Sequence, residues 1–129
     1  MMDNSAITVL MVDDNELIRE CVTAYLEDEG FTVHGYVTAE QALELIEVLN
    51  PAVCISDMRL PGMDGESFII KAHTLCPATG FLLHTGIVYT LSDKLRAIGM
   101  TDADVLLKPI HDLSKLVKKI NHIAATGSV

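Results

Sequence analysis

The chain has 129 residues, half of them hydrophobic, and carries 18 Asp and Glu against 9 Lys and Arg, for a net charge of −9. A chain of this length and apolar content builds one core and is not a disordered segment. The acidic balance disfavours direct contact with nucleic-acid phosphates or with an anionic membrane surface. Residues 1–6 are polar and acidic, without the basic and apolar regions of a signal peptide. No apolar run approaches the roughly 20 residues of a membrane span, so a cytoplasmic protein is expected. Cys21, Cys54 and Cys76 are odd in number, widely spaced and free of any C-x-x-C pattern, which predicts reduced, mostly buried thiols.

From the N-terminus, residues 7–12 form an apolar run of the kind found in strands buried on both faces, and they lead directly into Asp13 and Asp14. Residues 15–29 have helical period, with Leu17, Ile18, Cys21, Val22, Tyr25 and Leu26 on one stripe and Gly30 as the stop. A second strand is predicted at 31–36. The helix that follows, 38–49, has Thr38 as its N-cap, Ala42, Leu43, Ile46 and Leu49 on its stripe, and Asn50-Pro51 as its end.

A third strand, 52–56, leads into Asp57, followed by Arg59 and the loop 60–65. Asp64 in Met63-Asp64-Gly65 reads as turn chemistry rather than a ligand. Helix 65–76 presents Phe68, Ile69, Ala72 and Leu75. Strand 81–85 closes on Thr85-Gly86, and a weak stripe of Leu91, Leu95 and Ile98 marks a fourth helix. The stretch 99–104 departs from a short glycine turn, so this helix is expected to end unusually. Strand 104–107 precedes Lys108-Pro109. Helix 112–125 starts at Asp112 and carries Leu113, Leu116, Val117, Ile120 and Ile123. The whole of 1–129 reads as one domain with a core of about 7–125; 126–129 is a tail or linker stump.

Strands alternating with helices in this way predict an α/β (βα)5 fold: a doubly wound, five-stranded parallel sheet covered on both faces. The flavodoxin-like order 2-1-3-4-5 places a crevice where strands 1 and 3 diverge, and open α/β sheets bind ligands there. Asp13, Asp14, Asp57, Thr85 and Lys108 all fall at that edge. Crowded carboxylates repel, and a hard divalent cation together with a lysine relieves that cost. Mg2+ suits such a site because it prefers oxygen ligands and accepts a phosphate oxygen. A carboxylate beside it can act as a nucleophile toward phosphorus, while Lys108 and Thr85 hold the other phosphoryl oxygens. Singly, each residue has a plainer explanation: Asp14 or Asn15 as a helix cap, Lys108 as a solvated lysine, Thr85 as the end of a strand. Specificity lies in the combination.

That combination resembles the receiver domain of the two-component response-regulator family across about 7–125. The matching motifs are Asp13-Asp14, Asp57, Leu60-Pro61-Gly62-Met63-Asp64-Gly65, Thr85-Gly86 and Lys108-Pro109. The resemblance implies a signalling receiver that catalyses only its own phosphorylation and dephosphorylation. Asp57 would accept the phosphoryl group from a phosphohistidine of a sensor histidine kinase or a histidine phosphotransfer protein. Asp14 and Asp57 would ligate Mg2+ through carboxylates and Arg59 through its carbonyl, with Asp13 acting through the metal's water shell. Thr85 and Lys108 would hold the phosphoryl group, Gly86 would leave room for the donor, and the Lys108–Pro109 bond would be cis. A switching surface would engage a downstream output domain or protein, or a second copy of the chain in a homodimer.

The chain departs from the family at Val105, where an aromatic residue or His is usual, so the usual rotation of a ring has no counterpart there. Arg59 and Ile87 occupy positions that tune phosphoryl lifetime, with simple exposure as the alternative. Two other functions compete. A Mg2+-dependent hydrolase of the haloacid-dehalogenase type needs a second acid two positions after its nucleophile, but Arg59 follows Asp57 and Asn15 follows Asp13. A pseudo-receiver that binds partners without phosphorylation is opposed by the intact acidic site and favoured by Val105.

Overall fold

The computed structural model describes residues 7–127. The strands are β1 (Thr8–Val12), β2 (Thr32–Tyr36), β3 (Val53–Ser56), β4 (Gly80–Thr85) and β5 (Val105–Leu107). The helices are α1 (Glu16–Asp28), α2 (Ala39–Leu49), α3 (Gly65–Leu75), α4 (Asp93–Ala97) and α5 (Ser114–Gly127). All pairings are parallel, in the order β2-β1-β3-β4-β5, as predicted.

Two apolar layers sandwich the sheet. Leu10, Val12, Cys54 and Leu83 pack with Ala42, Ile46, Phe68, Ile69 and Leu95 on the side of α2, α3 and α4. Val9, Met11, Ile55 and Leu82 pack with Val22, Leu26, Leu116 and Ile120 on the side of α1 and α5. Alternate residues of the inner strands thus serve opposite layers, which is why β1 and β3 are apolar without a gap. β2 and β5 are less buried because each has a neighbour on one side only.

Helix boundaries follow capping chemistry. The Asn15 side chain accepts the Ile18 N–H at 3.0 Å, so Asn15 caps α1 and Asp14 does not. Thr38 and Gln41 form a reciprocal capping box on α2, and Asn50 ends that helix in the left-handed conformation at φ 43°. Asp64 caps α3 by accepting the Ser67 N–H at 2.8 Å, which agrees with its turn role. α4 is short, ends ahead of Gly99 (φ 102°), and passes into a 3-10 turn at Asp102–Asp104, the unusual ending expected.

Four sequence expectations need correction. Leu17 is 76% exposed, Leu75 is 41% exposed and Cys21 is exposed, so none of these three belongs to its predicted stripe. On α1 the buried line runs through Val22 and Leu26, and Leu17 is about 100° around the helix from Ile18. The fifth helix starts at Ser114, two residues after Asp112, whose carboxylate accepts both the backbone N–H and the hydroxyl of Ser114.

Gly65 has a steric requirement tied to the site. A Cβ there would lie 2.2 Å from the backbone carbonyl oxygen of Asp57, and its N–H donates to the Met58 carbonyl at 2.8 Å. Gly65→Val is expected to destabilise the fold by about 1–3 kcal/mol through overpacking. Gly86→Ala, which meets nothing within 4 Å, should leave stability nearly unchanged. Thermal melts of both variants check this; equal melting temperatures would contradict it.

Candidate phosphoryl-accepting site

The backbone ladders continue past the strand ends and fix the first carboxylates. Asp13 N–H donates to the Tyr36 carbonyl at 3.1 Å, and Asp57 N–H donates to the Val12 carbonyl at 3.0 Å. Both residues are buried, with Asp13 1% and Asp57 8% exposed, whereas Asp14 is exposed. Carboxylate oxygens of all three lie within 4.8 Å of one another, and this donor set fits a hard divalent cation.

Lys108 answers them from the far side of the crevice. Its Nζ donates to Asp13 Oδ2 and to Asp57 Oδ2, each at 2.7 Å. Burial opposes the ammonium charge, but the hydrogen bonds and negative charge of the two carboxylates prevail and raise the Lys108 pKa. The Lys108 N–H donates to the Thr85 carbonyl at 2.8 Å, continuing the pairing of Thr85 with Leu107. The Lys108–Pro109 bond is cis. Thr85 is buried at the end of β4, and its hydroxyl accepts the Ile87 N–H at 3.4 Å. Arg59 adjoins the cluster through its backbone N–H, which donates to Asp57 Oδ1 at 3.3 Å. The residues singled out by the sequence therefore meet in one place: Asp13, Asp57 and Lys108 by direct bonds, Asp14 within the acid cluster, and Thr85 and Arg59 through backbone links.

Other contacts were not read from the sequence. Arg19 reaches back from α1 to donate to the Asp13 carbonyl at 2.8 Å. The Tyr89 hydroxyl donates to Glu66 Oε1 at 3.0 Å and ties the β4–α4 loop to α3; burial and this bond push the Tyr89 pKa up. His84, one residue before Thr85, is buried behind Lys108. Burial, and after it the Lys108 charge, hold its imidazole below the ordinary value. Its one sequence signal is a polar residue within the predicted strand, directly after the apolar Phe81-Leu82-Leu83 run.

The acid–lysine cluster lies at the switch point of a doubly wound sheet, the place where open α/β sheets bind ligands. Comparison with known proteins agrees. The family model for the response regulator receiver domain matches residues 9–121. The chain is 35% identical over 83 residues to the C4-dicarboxylate transport transcriptional regulatory protein DctD of Rhizobium meliloti (strain 1021), covering 64% of this chain and 18% of that protein. It is 32% identical over 113 residues to the regulatory protein VanR of Enterococcus faecium, covering 85% and 47%. The crystal structure of a CheY-like response regulator receiver domain protein from Methanospirillum hungatei JF-1 matches with a TM-score of 0.81 at 27% identity, covering 95% of this chain and 96% of that one. The chain belongs to the response regulator receiver domain family, the phosphoryl-accepting signalling domains of two-component systems. It spans less than half the length of either curated relative named above.

Proposed function

We propose that Asp57 is the phosphoryl acceptor of this receiver, with Mg2+ as its cofactor. The observation that carries this is the Lys108 ammonium bonded to Asp13 and Asp57 together, with Asp14 beside them at the crevice. Asp14, Asp57 and the Arg59 carbonyl would hold the ion, with Asp13 acting through its waters. Bound there, Mg2+ supplies charge neutralisation for the incoming phosphoryl oxygens.

An Asp57 carboxylate oxygen forms the new bond to phosphorus as the bond to the donor's imidazole nitrogen breaks, and the freed imidazole takes up a proton from water. Lys108 and the Thr85 hydroxyl hold phosphoryl oxygens, and Gly86, with open space around its Cα, admits the donor. Self-catalysed transfer and hydrolysis are the whole of its chemistry. The donor is a sensor histidine kinase or a histidine phosphotransfer protein in the cytoplasm. No helix among the described residues is long and apolar enough to cross a membrane. The readout is a downstream output domain or protein, or a second copy of the chain.

The switch should run through the β4–α4 loop. Val105 is β-branched and has no ring to swing. Tyr89, by contrast, lies beside a groove of about 400 Å3 that it shares with Arg96, Asp102 and Val105. A phosphoryl group that draws in Thr85 pulls this loop, shifting the balance between two packings. Trifluoroberyllate, a phosphoryl mimic, is therefore expected to bind only with Mg2+ and to move amide signals of 86–98 strongly, with little change at 104–107. The reverse pattern, or no change beyond the acid cluster, would overturn the proposed switch.

A further inference from the structure

The acid cluster is held unevenly. Asp13 is gripped at four atoms: its N–H donates to the Tyr36 carbonyl, its Oδ1 accepts the Asn15 N–H at 2.9 Å, its Oδ2 accepts Lys108 Nζ, and its own carbonyl accepts Arg19 Nη1 at 2.8 Å. Asp14 is exposed, and its carboxylate makes no hydrogen bond among the described residues. Its place is therefore set through the backbone. A peptide unit is planar, so the Asp13 carbonyl and the Asp14 N–H and Cα move as one plate. A bond that fixes the direction of that carbonyl fixes where the Asp14 side chain starts.

Two local features bring Arg19 to this carbonyl. It lies in the first turn of α1, where its N–H donates to the carbonyl of the N-cap residue Asn15 at 3.0 Å. A Cβ at Gly35 would lie 3.7 Å from Arg19 Cδ, so the Arg19 stem passes over β2 at the residue of that strand without a side chain. Among the described residues the guanidinium forms no ion pair; its bond goes to a neutral carbonyl instead.

We propose that Arg19 is a positioning residue of the metal site: by holding the Asp13–Asp14 peptide it aims the Asp14 carboxylate at the ion. This role rests on the Mg2+ reading given above. Charge and positioning act on Mg2+ with opposite signs. As a nearby cation Arg19 repels the ion, so its removal would tighten binding. As the anchor of the peptide, its removal weakens binding. Repulsion between partly exposed charges is screened, whereas partners that orient metal ligands typically contribute about 10–100-fold in affinity, so positioning prevails.

Mg2+ titrations of the full chain, followed by amide spectra, test the role. Arg19→Met keeps the apolar stem and should raise the Mg2+ dissociation constant about 10–100-fold. Arg19→Gln, a second neutral variant, should do the same and decides the matter if the first does not fold. Arg19→Lys, which keeps a donor and the charge, should recover part of the loss. In the metal-free protein the carbonyl carbon signal of Asp13 should move in Arg19→Met while the amides of Val22 and Leu26 stay in place. Neutral variants that bind Mg2+ as tightly as the parent or more tightly, an Arg19→Lys variant no better than they are, or an unmoved Asp13 carbonyl would each overturn this role alone. A parent protein whose spectrum does not respond to Mg2+ would overturn the Mg2+ reading, and this role with it.

Discussion

Replacing Asp57 with Asn is expected to abolish phosphoryl uptake from acetyl phosphate, a small donor that needs no partner protein. The substitution preserves shape and removes the nucleophilic charge. The Lys108 ammonium, bonded to this carboxylate at 2.7 Å, would keep its bond to Asp13. The fold should therefore survive while uptake falls to zero, as intact-mass spectrometry of the Mg2+-loaded protein would report. Asp14→Asn is expected to act differently. Asp14 is exposed and makes no cap, so its loss should remove most of the labelling together with its metal dependence and leave stability nearly intact. Full labelling of Asp57→Asn would place the acceptor elsewhere.

The second large effect concerns Lys108→Met. Asp13 and Asp57 are both buried, and Lys108 is the cation bonded to them in the structure. Removing one partner from a buried ionic cluster leaves uncompensated charge and costs about 3–5 kcal/mol. The metal-free variant should lose stability on that scale in denaturant titrations. Saturating Mg2+ should then stabilise the variant more than the parent, because the cation takes over the neutralisation that Lys108 provided. Glu16→Ala, in the exposed first turn of α1, should do neither. Equal Mg2+ effects on Lys108→Met and the parent protein would separate the metal from the acid cluster.

The sequence made the fold legible because its inner strands are buried on both faces and so read as unbroken apolar runs. Its outer elements were harder to place. Leu17 and Leu75 look like core residues in a periodic pattern, yet they lie just off the faces that meet the sheet, and only packing reveals the difference. Asp112 read as the first residue of the fifth helix, but it lies two residues before the helix and bonds to Ser114, the first residue of α5. The acidic site was legible because strand order alone brings Asp13, Asp57 and Lys108 to one edge. The bonds from Tyr89 to Glu66 and from Arg19 to the Asp13 carbonyl were not, since they depend on side-chain reach between separate elements. His84 was hidden for a related reason: a polar residue in a strand reveals its isolation only when α1 and the chain after β5 close over it.

If Asp57 is the acceptor, the phosphoryl group resides on one carboxylate, and locating it there is the most direct test. The Mg2+-loaded protein would be treated with acetyl phosphate, reduced with borohydride, which converts an aspartyl phosphate to homoserine, and mapped by peptide mass spectrometry. Conversion is predicted at Asp57 alone, and only in samples that received both Mg2+ and donor. Conversion at Asp13 or Asp14, or none anywhere under saturating donor, would contradict the account; the latter result is the one a pseudo-receiver would give.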